Sequence, residues 1–176
     1  PNDNFIESLK DIRQLKLCVS IDGIELLNEF IRYPIRWKIF EDNFLKMMNW
    51  QNSYQNILLT SHTTVSLFNV FNLNEIENWI IDKSSAFKII KDIRMVPLVD
   101  PDFMNIKYLT PQHAQMALNK IAKNSKTNSQ MSDILQSVMQ NPQSENLRKQ
   151  KNQELKEFSR SMETIRNMEI KNIIPN

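Results

Sequence analysis

Residues 15–23 read LKLCVSIDG, and this stretch decides the fold class. Leu15, Leu17, Val19 and Ile21 alternate with Lys16, Cys18, Ser20 and Asp22, which is the period of a strand, and Gly23 stops it. Upstream, residues 4–14 (NFIESLKDIRQ) carry Phe5, Leu9 and Ile12 at helical spacing and predict a short amphipathic helix. Downstream, an irregular stretch runs through Pro34, after which residues 36–51 set Trp37, Phe40, Phe44 and Met48 on one helical face. That face is core packing, not a cofactor box.

The unit then repeats. Residues 57–67 (ILLTSHTTVSL) are rich in β-branched and apolar types and predict a second strand. Asn72 followed by Glu75 gives a capping-box-like start to a helix through Ile76, Trp79 and Ile80. Residues 87–99 (FKIIKDIRMVPLV) predict a third strand with Pro97 near its end. Thr110 and Pro111 form an N-cap and N1 pair for a helix through Met116, Leu118 and Ile121. Long helices between strands belong to parallel sheets or barrels, whose sites lie at the carboxy ends of the strands. The predicted class is α/β: a partial (β/α) barrel over residues 1–124, followed by a helical C-terminal extension over 125–176. In the extension KTNSQ is a polar linker, and Ile134, Leu135 and Val138 mark a short helix. Residues 144–169 form a long charged helix with Leu155, Phe158, Met162 and Ile165 as its apolar stripe. The charged side of that helix is by default a solvated face, with a partner surface as the alternative.

Composition narrows the function. The chain has 176 residues, 41% of them apolar, and a net charge of +2 without a long block of one sign, which argues against nucleic acid as a partner. No apolar run approaches the roughly 18 residues of a membrane span. The single Cys18 fits a reducing compartment, so a cytoplasmic protein is expected. Gly23 is the only glycine, which excludes a Walker A loop and a dinucleotide-binding turn, since each needs several. Cys18, His62 and His113 are the whole supply of soft ligands, and no pair has a short ligand spacing. His62 reads as a hydrogen-bonded interior histidine sooner than as a base. The chain begins at Pro1, which suggests a processed or partial sequence.

Two stretches carry a resemblance. In CVSIDGIELLNEFIRYPIRWKIFEDNFLKM a strand ends in SIDG and an FIRYP segment leads into a Trp-containing helix. This resembles the middle strand of radical SAM enzymes of the SPASM or twitch type. HTTVSLFNVFNLNEIENWI looks like the next βα unit of that family, and RSMETIRNMEIKNIIPN is similar to the ending of twitch-type proteins. The resemblance spans essentially the whole chain. It implies that the strands are the last three of a radical SAM-type barrel. It also implies a [4Fe–4S] cluster and S-adenosylmethionine (SAM) as cofactors, a 5′-deoxyadenosyl radical that abstracts hydrogen from substrate, and a peptide or protein as substrate. The CxxxCxxC loop that binds the cluster is lacking here and would belong to a missing N-terminal half of the barrel. The auxiliary cysteines of SPASM and twitch extensions are absent as well. This chain alone is then expected to be inactive.

By the same resemblance the remaining roles are SAM positioning. Ser20 and Asp22 would bond the ribose hydroxyls or the methionine amine, and Arg32 the methionine carboxylate. Thr64 and Asn69 flank the end of the second strand, and Leu98 and Val99 would pack on adenine. Plainer readings stand beside these: Ser20–Gly23 as an ordinary strand-to-loop turn, and Arg32 as a surface side chain lying beside Tyr33. The competing function is a non-catalytic α/β and helical interaction module whose last helix docks a partner.

Overall fold

The structure, a computed structural model, describes residues 3–9, 11–85, 93–122 and 129–172. Three strands, β1 (Leu15–Ser20), β2 (Ile57–Val65) and β3 (Ile93–Pro97), form one parallel sheet in the order β1-β2-β3. The helices are α1 (Asp3–Glu7), α2 (Leu26–Ile31), α3 (Trp37–Ser53), α4 (Leu73–Ser84), α5 (Pro111–Ala122), α6 (Ser129–Gln140) and α7 (Glu145–Arg166). Short 3₁₀ turns follow β3 at Asp102–Met104 and Ile106–Tyr108, and another follows α7 at Ile170–Asn172. The chain is thus mixed α/β, built on a small open parallel sheet.

The pleat sorts the strand residues into two faces. Val19, Leu59 and Ile57 on one face meet Phe44, Met48 and Trp50 of α3, while Ile21, Val65, Ile93 and Met95 join the main core with α4, α5 and α6. Trp37, Phe40, Phe44 and Trp79 pack as an aromatic group with centroids 5.0–6.3 Å apart, so the stripe predicted for α3 is the seam against α4. The opposite face carries Lys16, Cys18, Ser20, Thr60, His62, Thr64 and Arg94 together with the apolar Leu58 and Val96, and Lys16, Cys18 and Arg94 are exposed. Among the described residues α3–α6 therefore cover one side of the sheet, and the other stays open at Lys16, Cys18 and Arg94.

Several expectations shift. The predicted helix over 4–14 is confined to α1; Phe5 and Ile12 are exposed, and only Leu9 of that stripe reaches the Trp50–Ile57 cluster. The stretch before Pro34 is not irregular throughout, because it contains α2. That helix starts at Glu25, which gives no side-chain cap and holds φ 50°, so no start signal marks it. The capping box at α4 is also half-formed. Asn72 Nδ2 donates to Glu75 Oε2 at 3.0 Å, while Asn72 Oδ1 is buried without a partner and caps nothing. The Thr110 cap holds, with the His113 N–H donating to Thr110 Oγ1 at 3.1 Å. Residues 87–92 of the predicted third strand, 126–128 of the predicted linker and the final 173–176 lie outside the described residues, and Ser129 and Gln130 of that linker open α6.

Candidate functional site

The carboxy ends of the strands meet at Asp22, which is buried. Its Oδ1 accepts from the Thr64 N–H at 2.7 Å and its Oδ2 from Arg32 Nη1 at 2.6 Å. The Asp22 N–H in turn donates to Asn28 Oδ1 at 3.1 Å, so the second residue after β1 is locked to both α2 and β2. Asn69 closes the arrangement from the β2–α4 turn. Its Nδ2 donates to the carbonyls of Asp22 (2.8 Å) and Thr64 (2.9 Å), and its Oδ1 accepts from the Ser66 N–H at 2.8 Å. Two donors stay without a partner though buried: Asn28 Nδ2 and Arg32 Nε. Each unpaired donor costs about 1–3 kcal/mol when buried, and neither atom is open to solvent, so room for a ligand must lie on the Asp22 side of this tie.

The cavity is there. A space of about 370 Å³ opens among Asp22, Ile31, Thr64, Ser66, Leu98, Pro101, Met104 and Phe158, within the range of small-molecule sites. Its roof is α7. Leu155, Phe158 and Met162 pack with Phe30, Phe68 and Met104, all from segments that follow the strands, while Ile165 of the predicted stripe is exposed. Arg166 stacks its guanidinium over the Phe30 and Tyr33 rings at 5.0 and 5.7 Å, and burial pushes its pKa down from the usual value. A carboxylate fastens the roof at its other end. Asp102 Oδ2 accepts from Tyr108 Oη at 2.6 Å, Asp102 pairs with Lys107, and Lys151 of α7 lies 3.5 Å from it. Hydrogen bonds from Lys107 and then Tyr108 hold the Asp102 carboxyl down at about 2.

Of the residues singled out in the sequence, Asp22, Thr64 and Leu98 line this cavity, and Arg32 and Asn69 brace its wall. Ser20 is not among them: it sits lower on the open face, paired in register with His62. Val99 is not among the lining residues either and is 76% exposed. Asn28, Ser66, Met104 and Phe158 were not anticipated. Only Phe158 had a signal, as part of the stripe of α7; the rest are placed by tertiary contacts.

The donor set also bears on metal. One cysteine cannot supply the thiolates of an iron–sulfur cluster, so these residues do not fit that group. Among the described residues, moreover, no three His, Cys, Asp or Glu side chains come together as metal ligands. No described helix is long and apolar enough to cross a membrane. No family model, curated protein or solved structure matches the chain.

Proposed function

We propose that this chain is the SAM-positioning, carboxy-terminal part of a radical SAM enzyme, contributing the last three βα units of a partial barrel. The observation that carries the reading is the polar face of the sheet, left open by the helices and crowned by the Asp22 cavity. Parallel sheets ordinarily have both faces covered. Here strands follow one another in sequence order with helices on one side, as in a barrel wall. A wall of that kind turns its other face to a lumen, and hydroxyl, thiol, imidazole and cationic groups suit a lumen that receives polar ligands.

In this reading Asp22 is the fixed point of the site and Arg32 its ligand-facing group. Arg32 holds Asp22 through Nη1 while its Nε is buried, and the side chain is 30% exposed, so the exposed part of its guanidinium is where the methionine carboxylate of SAM would be held. Leu98, Met104 and Phe158 supply an apolar wall for the adenine, and Thr64 and Ser66 polar atoms at the rim. When bound beside a reduced cluster held elsewhere, SAM supplies the radical that abstracts hydrogen from the substrate. The chain's own part is to bind, orient and exclude water. A peptide or protein substrate rests on the resemblance alone. The rival reading, a partner-docking module, would need the apolar stripe of α7, and Leu155, Phe158 and Met162 are already used internally.

Titration of SAM into the chain, followed by backbone amide spectra, tests the proposal. Saturable shifts at Asp22, Thr64, Ser66 and Leu98 are expected, and Arg32→Ala should weaken them on the order of tenfold or more. Absence of saturable shifts at those residues would overturn it.

A further inference from the structure

On α7 Phe158 faces the Asp22 cavity, while Leu155, Ser159 and Glu163, on successive turns, face a second cleft of about 430 Å³. Its far wall comes from the chain that follows the helix. Asn167, in the left-handed region, turns the backbone, and the Ile170 N–H then donates to Glu163 Oε1 at 2.7 Å. The floor is apolar: Leu67 and the buried Phe68 from the β2–α4 turn, with Leu155 and Ile170. Two cations stand on the rim one turn apart, Lys156 and Arg160. Among the described residues neither side chain has an ion pair or hydrogen bond, whereas Lys171 is held by Glu169 at 3.2 Å. The neighbouring acids of α7 are engaged elsewhere. Glu157 accepts from Gln153 Nε2 at 2.7 Å and Glu154 pairs with Lys151, while Glu163, the carboxylate in the lining, lies toward the Ile170 end. Ser159 Oγ already donates to the Leu155 carbonyl at 2.7 Å, so the donors left for a ligand are the two cations.

We propose that this cleft binds a small carboxylate with an apolar body, the carboxylate between Lys156 and Arg160 and the body over Leu67 and Phe68. The volume lies within the range of small-molecule sites. Charge complementarity selects the ligand: an uncharged apolar molecule leaves both cations unneutralised, and a cationic one is repelled. Arg160 is the main determinant, because its planar fork can take both carboxylate oxygens, and Lys156 adds a point charge. A free acyl chain and the carboxy terminus of a peptide ending in an apolar residue share this chemistry. The cleft is separate from the Asp22 cavity and does not rest on the SAM reading.

The test is an amide-spectrum titration of the chain near neutral pH with octanoate, octanol and N-acetyl-phenylalanine, at constant ionic strength set by chloride. Saturable shifts at Leu67, Phe68, Ser159 and Ile170 are expected from at least one of the two carboxylates, and octanol should bind on the order of tenfold more weakly than that carboxylate. Arg160→Gln should remove most of that advantage and Lys156→Gln less. Both side chains are exposed and unpaired, so neither change threatens the fold. Tighter binding of N-acetyl-phenylalanine than of octanoate identifies a peptide terminus, and the reverse an acyl chain. Shifts that saturate with neither carboxylate, octanol binding as tight as theirs, or carboxylate binding that survives Lys156→Gln and Arg160→Gln together would overturn the site. The SAM titration reports at Asp22, Thr64 and Leu98, so failure of one reading is distinguishable from failure of the other.

Discussion

A Cβ on Gly23 would lie 2.6 Å from Leu27 Cγ and 2.8 Å from the Asn28 backbone nitrogen. The glycine does not serve a left-handed turn, since no glycine here has positive φ. It lets the first turn of α2 approach the end of β1, and α2 carries both Asn28 and Arg32. Gly23→Ala is therefore expected to cost about 1–3 kcal/mol in urea unfolding, as overpacking against backbone does, and to shift the amide resonances of Asp22 and Asn28. A change within about 0.5 kcal/mol would mean that α2 yields freely. Asp22 holds two donors at once, so Asp22→Ala should cost about 3 kcal/mol and Asp22→Asn clearly less, because an amide oxygen still accepts from Thr64. Equal losses in the two variants would contradict that division. Arg32 is the cleaner probe of ligand binding, being 30% exposed and removable with less harm to the fold.

At the scale of elements, α7 owes its place to a few side chains from the loops that follow the strands. Asp102 is the titratable one. Its carboxyl is held at about 2, below the ordinary 3.8, so its contribution is complete above about pH 4 and is lost as pH falls through about 2. Hydrogen exchange of the α7 amides should accordingly quicken over that window, and Asp102→Asn should remove most of the change. The same pH profile in both proteins would contradict the tether. At the far end of the helix, Asn167 sits in the left-handed region with φ 52° and ψ 45°. Asn167→Gly should be neutral or slightly stabilising and Asn167→Ala should cost about 1 kcal/mol in unfolding. The stripe on α7 was legible because a period of 3.6 survives in the sequence, but a stripe says that a face is buried and not against what. β1, β2, α3 and α5 were legible for similar reasons, through alternation, an aromatic face and the Thr110–Pro111 cap. α2 was not: it is six residues long, uncapped, and stabilised by packing over Gly23. Within the site, Asp22, Thr64 and Leu98 were singled out through the family resemblance, which puts SAM-positioning residues at the carboxy ends of the strands. The partners Asn28 and Ser66 depend on contacts that no local pattern encodes.

For the molecule as a whole, the open face and the free edges belong to one argument. Among the described residues β1 pairs only with β2, and so does β3, leaving an unpaired edge on each side. The segment before β1 does not cover the gap. It is tied instead to the α3–β2 connection, where Tyr54 Oη donates to Glu7 Oε2 at 2.8 Å and Asn56 Nδ2 to the Ile12 carbonyl at 2.7 Å. Lys16 is the one lysine within β1, weak protection for an edge that templates association. Urea unfolding over a series of protein concentrations tests most directly the proposal that this sheet is one wall of a larger barrel. The account predicts a midpoint that rises with concentration, as for a self-associating chain, and a stability for the dilute protein below about 5 kcal/mol. A concentration-independent, single cooperative transition with stability above about 5 kcal/mol would contradict it.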